Sequence, residues 1–418
     1  MARPAQQAVQ ENQATQTATS LPSVAPTATH VPQPTAEPET VSPLEEIVFG
    51  PCLETQLGFA ENINIPWNLI GGDGENFIVL DVNTMTKGNL SYLEEVGPDG
   101  LPTRLGDIKI SPDGKWIAYE GSYSKKNRLY IDSALTLLNQ TEEKSIGLEI
   151  KQPYRLKRWV DADTLLIHYE DPEAPYLYLT SFFDPVSGDE YIFSIRDLPN
   201  YYDEDGGAFM VANYWLDGDL VPDPTMTRII YPAIDQTDSY VYNILWDSKE
   251  EKIITRFQYM VIAFNEPFWA LDGSDFIMRN FLEKEKGKWY SDWFLMSREG
   301  DYRQITSFMD FMEIGYYFDD ISRSPDGRYL VFRLSYEMDG LDKAKYILLD
   351  IKSSELSGFC IDSSYEEGSM NTPVPWSPDS RYIEIDLKEG ILIVNVEERT
   401  ATKIAEDVFA YGWIVREE

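Results

Sequence analysis

The chain has 418 residues, with 35 lysines and arginines against 71 aspartates and glutamates, a formal net charge of −36 and an isoelectric point near 4.3. This balance repels phosphate backbones and anionic membrane surfaces, so it argues against a nucleic-acid partner. The two histidines are too few for most Ser-His-Asp or Cys-His catalytic schemes and for a histidine-based zinc site. We therefore expect no metal and no cofactor. No run of about 18 apolar residues occurs, so no segment is expected to span a bilayer.

Residues 1–43 differ in composition from the rest of the chain. They are rich in proline, threonine, alanine and glutamine and nearly lack large apolar side chains, which predicts a disordered tether. Tethers of this composition commonly follow the lipid-bearing cysteine of bacterial surface lipoproteins. We expect an extracytoplasmic protein, in the periplasm or at the cell surface, anchored through a segment not present in this sequence. Residues 44–61 are predicted to connect the tether to a folded domain over residues 62–418.

Three near copies of one turn motif occur in the folded domain. They are Ser111-Pro112-Asp113-Gly114, Ser324-Pro325-Asp326-Gly327 and Ser377-Pro378-Asp379-Ser380. The last two lie 53 residues apart and the first two lie 213 apart, which is about four such steps. Weaker copies follow Trp159, Trp215 and Trp269, and a last apolar approach occurs at residues 411–415. The sequence therefore contains an internal repeat.

A second series of apolar strands has the same period. It consists of residues 77–81, 129–132, 177–180, 240–243, 293–296, 347–350 and 392–395. The first of these strands has no turn motif before it, and the approach at 411–415 has no such strand after it, so the two ends complete each other. The pattern predicts an all-β fold, a β-propeller of seven four-stranded blades with one composite N/C-terminal blade. Six or eight blades are the alternatives, because residues 70–74 imitate the turn motif.

The residues of the turn motif have a structural explanation. Proline presets φ at the second turn position, aspartate accepts hydrogen bonds from backbone N–H groups, and glycine adopts a positive φ without steric cost. We therefore interpret the conspicuous polar residues of the repeat as turn formers and not as catalytic groups. They are Asp113, Gly114, Asp326, Gly327 and Asp379.

The repeat Ser-Pro-Asp-Gly-Lys-Trp-Ile-Ala-Tyr at residues 111–119, with its echoes at 324 and 377, resembles the TolB-type, WD-like propeller repeat of bacterial envelope proteins. It is also similar to the propellers of the prolyl oligopeptidase family. The resemblance covers roughly residues 60–418. The TolB-type resemblance implies a protein-binding scaffold in the periplasm. Peptidase activity is not implied, because the Gly-x-Ser-x-Gly motif and the α/β-hydrolase domain of those peptidases are absent from the sequence.

Long polar excursions between the predicted strands form the candidate binding region. Residues 197–207, 283–288, 336–343 and 362–372 belong to connections expected on one face of the propeller. Because loops on a rigid scaffold commonly carry binding, and tyrosine offers a large contact area, we expect a protein or peptide ligand there. The candidate binding residues are Tyr201, Tyr202, Asp203, Tyr336, Asp339 and Tyr365.

The sequence leaves an alternative function open, that of a carbohydrate-active hydrolase or a glycan-binding propeller that uses carboxylates in its central funnel. Two acids from different blades, about 5 to 10 Å apart, would favour hydrolysis. A non-catalytic protein- or peptide-binding scaffold remains the favoured interpretation, with a glycan as the second ligand class.

The cysteines and the histidine of the folded domain are interpreted structurally. Cys52 and Cys360 would pair in an oxidising compartment, and two separate buried thiols are the alternative. His168 lies within an apolar strand and is interpreted as a hydrogen-bonded structural residue. The sequence does not determine the oligomeric state.

Overall fold

The computed structural model describes residues 54–57, 65–72, 77–89, 104–122, 134–139, 144–148, 154–171, 174–194, 198–199, 201–202, 208–211, 220–235, 241–258, 269–285, 288–312, 316–338, 341–359, 374–387, 390–405 and 409–416. All of them belong to the unit Val41–Glu418. The predicted tether lies outside these residues, as do Cys52, Asp203, Asp339, Cys360 and Tyr365. In the described ranges no helix has the length and apolar character needed to cross a membrane.

Short β-strands make up nearly all of the regular structure. The first are β1 (Glu54–Leu57), β2 (Trp67–Gly72), β3 (Phe77–Asp81), β4 (Thr86–Asn89), β5 (Arg104–Ile110), β6 (Trp116–Ser122), β7 (Ala134–Asn139), β8 (Lys144–Leu148), β9 (Tyr154–Trp159) and β10 (Leu165–Asp171). The next are β11 (Ala174–Phe183), β12 (Glu190–Ser194), β13 (Tyr201–Tyr202), β14 (Ala208–Val211), β15 (Val221–Pro222), β16 (Arg228–Asp235), β17 (Val241–Asp247), β18 (Lys252–Gln258), β19 (Asp275–Glu285) and β20 (Lys288–Ser297). The last are β21 (Tyr302–Gln304), β22 (Tyr316–Arg323), β23 (Tyr329–Met338), β24 (Leu341–Asp350), β25 (Glu355–Phe359), β26 (Tyr382–Leu387), β27 (Gly390–Asn395), β28 (Thr400–Ala405) and β29 (Phe409–Val415), with one helical turn, α1 (Phe308–Phe311), after β21.

The described strands form seven sheets. Sheet 1 contains β29, β2, β3 and β4, sheet 2 contains β5–β8, sheet 3 contains β9–β12, sheet 4 contains β13–β18, sheet 5 contains β19–β21, sheet 6 contains β22–β25, and sheet 7 contains β26–β28 with β1 at its edge. In sheet 1, strand β29 from one end of the domain pairs antiparallel with β2 from the other end. Strand β1 pairs parallel with β28, an addition to sheet 7 that the repeat did not predict.

Buried hydrophobic clusters join each sheet to the next one along the chain. Between sheets 5 and 6, for example, the rings of Trp293 and Phe318 lie 5.5 Å apart. A further cluster joins sheet 7 to sheet 1, where the rings of Tyr382 and Trp413 are 6.2 Å apart. Ile414 of sheet 1 and Ile117 of sheet 2 share another cluster. The succession of sheets thus closes on itself, and the described part of the chain is an all-β propeller.

Sheet 5 departs from the predicted strand count. Among the described residues, six of the sheets have four or more strands, whereas sheet 5 has three. At its inner edge the described residues form a single bridge, between Trp269 and Phe276, because the turn begins directly after Trp269 and residues 259–268 lie outside the description. The expectation of four strands in every blade is therefore not tested at the inner edge of sheet 5, where the preceding residues lie outside the described part of the chain.

The repeated turns are built around their serine. The Ser111 hydroxyl donates to Asp113 Oδ1 at 2.7 Å and accepts the Trp116 N–H at 2.9 Å. The same serine-to-aspartate hydrogen bond is 2.6 Å long at Ser324 and at Ser377. Gly114 has a φ of 71° and donates its N–H to the Ser111 carbonyl at 2.8 Å. Serine and aspartate thereby satisfy the backbone of the turn, which explains why the motif recurs.

Two of the predicted polar excursions are regular hairpins. Strands β19 and β20 pair as far as Glu285↔Lys288, and β23 and β24 pair as far as Met338↔Leu341. Tyr336 lies in β23, is 5% exposed and belongs to the cluster between sheets 5 and 6, so its assignment to a binding loop is wrong. The physical reason is that the alternating apolar pattern continues through Leu334 and Tyr336 and extends the strand.

Tyr201 and Tyr202 also lie in regular structure. They form β13, which pairs with β14 at the edge of sheet 4. The expectation that both belong to a loop is therefore wrong, because their backbone is taken up by strand pairing. His168 is buried in β10, where it pairs with Thr180 of β11.

A buried carboxyl organises the chain around α1. Asp292 is 0% exposed and accepts hydrogen bonds from the Thr306 hydroxyl at 2.8 Å and from the Phe308 N–H at 2.6 Å. Burial raises the pKa of Asp292 from 3.8 to about 6, although these donors lower it. The carboxyl therefore stabilises the local chain through these hydrogen bonds, whereas its burial disfavours its ionisation.

Replacement of Asp292 by asparagine is expected to change the pH dependence of stability. Because the folded-state pKa exceeds the unfolded one, the folded state holds more protons between the two values, and the parent loses stability as pH rises from about 4 to 7. The rise of the Asp292 pKa from 3.8 to about 6 corresponds to about 3 kcal/mol of stability that the parent loses over this pH range. The Asp292→Asn variant should show no such loss. Urea unfolding of both proteins at pH 4 and pH 7 measures the difference. Parallel pH profiles would show that Asp292 ionises normally.

Candidate binding site

A cavity of about 310 Å³ lies at the centre of the propeller. Every one of the sheets contributes to its wall, which follows from radial closure because the inner strands face one axis. From sheet 1 to sheet 7, representative lining residues are Trp413, Lys109, Arg158, Pro222, Trp269, Arg323 and Glu384. Pockets of this size, with apolar walls and a few polar groups, are typical small-ligand sites.

Tryptophans in the wall fasten neighbouring sheets to each other. The indole N–H of Trp159 donates to the Lys109 carbonyl of the preceding sheet at 3.0 Å. Trp269 donates in the same way to the Val221 carbonyl at 3.2 Å, and Trp413 to the carbonyl of Pro375 at 3.3 Å. The N–H donor of each of these three indoles is therefore already hydrogen-bonded within the protein.

Trp376 breaks this pattern. Its ring lies parallel to that of Tyr329, with the centroids 6.2 Å apart. Its Nε1 is buried and finds no hydrogen-bond acceptor among the described residues. An unsatisfied buried donor costs about 1 to 3 kcal/mol, so a bound acceptor that reached this N–H would be favoured.

Two carboxyl groups lie beside Trp376 in sheet 7. Glu384 and Asp386 are two residues apart on β26, so both project from the same face of the sheet. Glu384 is 1% exposed, and its Oε1 has no hydrogen-bond donor within the described part of the chain. Burial and the nearby Asp386 raise the pKa of Glu384 well above its usual value. Burial also raises the pKa of Asp386, although its Oδ1 accepts the Ala410 N–H at 3.2 Å. The pair therefore retains a proton more readily than two solvated carboxyls would.

Three cationic side chains belong to residues of the cavity wall. Arg323 is neutralised, because its Nη2 lies 2.6 Å from Asp275 Oδ1 and also donates to the Gly327 carbonyl at 2.8 Å. Arg158 is 8% exposed, and Lys109 is half-buried. The cavity therefore has more positive character than the rest of this acidic protein.

The predicted binding residues do not form this site. Tyr336 is buried between sheets 5 and 6, Tyr201 and Tyr202 lie in an edge strand, and the other three candidates are outside the described residues. The arrangement expected for hydrolysis is also different from the one found. Of the described residues that line the cavity, those with carboxylates are Glu384 and Asp386, and both are on β26 rather than on different blades.

Sequence reasoning missed Glu384, Asp386 and Arg158. A signal was present for Glu384, because its counterparts after the other strong turns are apolar, whereas the counterparts of Asp386 are charged. At the equivalent positions after those turns stand Ala118 and Glu120 in sheet 2 and Val331 and Arg333 in sheet 6. The repeat alignment therefore marks Glu384 as exceptional.

No protein-family model and no curated protein matches this sequence. Among solved structures, an oligogalacturonate lyase in complex with manganese is 12% identical, covers 83% of this chain and 86% of its own, and has a TM-score of 0.47. The β-propeller domain of the trilobed protease from Pyrococcus furiosus is 12% identical, with coverages of 73% and 85% and a TM-score of 0.45. A GH74 xyloglucanase from Xanthomonas campestris is 11% identical, with coverages of 81% and 53% and a TM-score of 0.44. Similarity at this level does not bear on function.

Proposed function

We propose that the protein is a non-catalytic scaffold that binds a protein or peptide segment in the central cavity. The observation that carries this proposal is the pair of unsatisfied buried atoms in the wall, the donor Trp376 Nε1 and the acceptor Glu384 Oε1. Buried polar atoms in folded proteins are almost always hydrogen-bonded, so two orphans in one cavity indicate that a polar ligand completes the site.

A peptide segment fits this pair of atoms well. Each residue of an extended chain offers one N–H donor and one C=O acceptor, which are the two groups that Glu384 and Trp376 require. The formal charge of −36 would also draw a basic partner toward the protein.

Hydrolysis of a glycan is less well supported by the same residues. Glycosidases need an acid on each side of the scissile bond, about 5 to 10 Å apart. Glu384 and Asp386 instead project side by side from one strand, and their hydrogen bond to each other keeps them together. A glycan remains the second ligand class, because hydroxyl groups also donate and accept hydrogen bonds.

The test uses two matched tryptophan variants and a purified partner obtained by affinity capture. Trp376→Phe removes the unsatisfied N–H and should weaken partner binding about 3- to 10-fold while stability is unchanged or improved. Trp159→Phe, in the same cavity wall, removes an N–H that is already bonded to the Lys109 carbonyl, so it should lower stability by about 1 kcal/mol and weaken binding less than Trp376→Phe does. Equal affinity of the parent and Trp376→Phe would place the binding surface elsewhere.

We also propose that the protein is extracytoplasmic and that residues 1–43 tether it to an envelope surface. The support is the composition of that segment and the resemblance of the turn repeat to TolB-type propellers. Fractionation of cells that express the protein from its own genomic locus tests this proposal. Recovery in the cytoplasm alone would contradict it.

The sheets, we propose further, are the seven blades of one closed ring. The support is the hydrophobic cluster between every successive pair of sheets, including the pair formed by sheets 7 and 1. In this interpretation Trp269, which bridges Phe276, marks the inner edge of the blade formed by sheet 5. A crystal structure with six blades would overturn the assignment.

A further inference from the structure

Exposed apolar side chains are concentrated at the outer hairpin of sheet 3. In the described ranges six large hydrophobic side chains are exposed, and three of them, Val186, Tyr191 and Ile192, belong to the hairpin of β11 and β12. Tyr191 is 60% exposed and Ile192 is 50% exposed. As neighbours on one strand they project from opposite faces of the sheet, so the outer margin of sheet 3 is apolar on both faces. A concentration of this kind marks an interaction surface.

Strand β12 is the outermost strand of its sheet. It pairs with β11 from Leu179↔Ser194 to Phe183↔Glu190 in one unbroken register. Among the described residues no strand pairs with its other side. Because alternate N–H and C=O groups of an edge strand point away from the sheet, β12 presents a regular template for one more strand.

The outer strands of the other sheets are better protected against such an addition. A charged lysine or arginine on an edge strand opposes pairing with a further strand. Cations of this kind are Lys87 in β4, Lys144 in β8, Lys252 and Arg256 in β18, Arg303 in β21 and Lys403 in β28. Strand β25 has no cation, but its Leu356 and Phe359 are buried. Strand β12 has no lysine, arginine or proline, and it exposes two adjacent apolar side chains.

Negative charge is concentrated at one end of the same sheet. Strand pairing places the turn after β9 and the turn after β11 at this end, because Leu165 is the partner of both Trp159 and Phe183. Asp161 and Asp163 lie in the first turn, and Asp184 begins the second.

The carboxylates of the two turns act on each other. Burial and the carboxylates of Asp113, Asp161 and Asp184 raise the pKa of Asp163. Lys115 is the cation beside them, and it is paired with Asp113 at 2.8 Å. A positively charged segment along β12 would therefore be attracted to this end of the sheet.

We infer that the outer edge of sheet 3 binds an extended segment of a basic partner, which pairs with β12 as a fifth strand and covers Tyr191 and Ile192. The outer edge of sheet 7 already accepts an added strand, since β1 pairs with β28. This surface is separate from the central cavity, to which sheet 3 contributes β9, so the inference goes beyond the proposed function. A second copy of the chain fits less well, because each copy has a charge of −36.

The probe is a fluorescent octapeptide of four valines flanked by two lysines at each end, with both termini blocked. Its binding to the full chain is measured by fluorescence anisotropy. We expect saturable binding, and an analogue with glutamates in place of the lysines should bind at least about tenfold more weakly. Methylation of the four valine amide nitrogens removes the central backbone donors, so it should also weaken binding at least about tenfold.

Variants locate the peptide on the protein. Tyr191→Ser/Ile192→Ser should weaken binding about tenfold, because the apolar contacts are lost without a change of charge. The matched control is Tyr302→Ser/Tyr317→Ser, at two exposed tyrosines of sheets 5 and 6, which should leave the affinity unchanged. Both double variants should unfold thermally like the parent, because the substituted side chains are exposed.

The outcomes separate this surface from the cavity. No saturable binding, equal binding of the methylated peptide, or equal binding by the Tyr191→Ser/Ile192→Ser variant would overturn the inference. If Trp376→Phe weakens the peptide and the β12 variant does not, the peptide occupies the cavity, so the proposed function stands and the edge site is wrong. Self-association of the parent in sedimentation, abolished by the β12 variant, would assign the edge to a second copy and overturn the basic partner.

Discussion

Removal of residues 408–418 is expected to abolish the native unfolding transition of the whole domain. Strand β29 is the inner strand of sheet 1, with Trp413 and Ile414 each 2% exposed. Its contacts extend beyond its own sheet, because Trp413 donates to the Pro375 carbonyl of sheet 7 and the Val415 N–H donates to the Gly114 carbonyl of sheet 2 at 3.0 Å. The two large side chains alone contribute about 5 kcal/mol of hydrophobic stabilisation, which is comparable with the stability of a whole domain.

Circular dichroism and thermal unfolding of the truncated chain measure this effect. A chain that lacks only residues 417–418, which follow β29, is the control and should unfold like the parent. If the 408–418 truncation kept a native transition, the closure of the ring by β29 would not be required for folding.

Replacement of Arg298 by alanine is expected to lower the free energy of unfolding by about 3 to 5 kcal/mol. The Arg298 guanidinium, in the turn after β20, donates to the Asp223 carboxylate of sheet 4 and to the Gly273 carbonyl at 2.6 Å. The side chain of Asp223 is 0% exposed and keeps N–H donors from Thr227 at 2.8 Å and Arg228 at 2.7 Å. Loss of the cation would leave a buried carboxylate with only neutral donors, namely these two N–H groups and the Thr225 hydroxyl.

Urea unfolding gives the free energies for this comparison. Arg303→Ala removes the same charge from an exposed position in β21 of sheet 5, so its effect should stay within about 0.5 kcal/mol. The double variant Asp223→Asn/Arg298→Ala should recover part of the loss, because no unpaired charge remains. Equal effects of the two arginine substitutions would mean that the ion pair between sheets 4 and 5 contributes nothing.

The repeat made the architecture predictable from sequence, because one local rule generates each turn. Ser111, Ser324 and Ser377 organise the same hydrogen bonds in three sheets, and the composite sheet followed from the unmatched strands at the two ends. The degenerate copies were less informative. The weak motif after Trp215 lies outside the described residues, and the described turn of sheet 4 begins at Asp223, whose N–H donates to the Arg228 carbonyl at 2.8 Å.

The site could not be predicted in the same way, because it depends on contacts between distant parts of the chain. The repeat alignment shows that Glu384 replaces an apolar residue, but its burial in sheet 7, two residues before Asp386 accepts the Ala410 N–H of sheet 1, is a tertiary feature. Tyrosine is a residue type that is common in binding loops. Tyr336 nevertheless pairs with Lys343 across β23 and β24 and lies in the core between two sheets. Burial of this kind depends on tertiary contacts, so no local sequence pattern predicts it.

The most direct test of the cavity as the binding site is the indole N–H spectrum of the protein during titration with its captured partner. Resonances are assigned with phenylalanine variants at each tryptophan of the wall. We predict that the Trp376 resonance shifts most, because its N–H alone among the four wall tryptophans Trp159, Trp269, Trp376 and Trp413 finds no acceptor in the described residues. An unmoved Trp376 resonance at saturation would contradict the account.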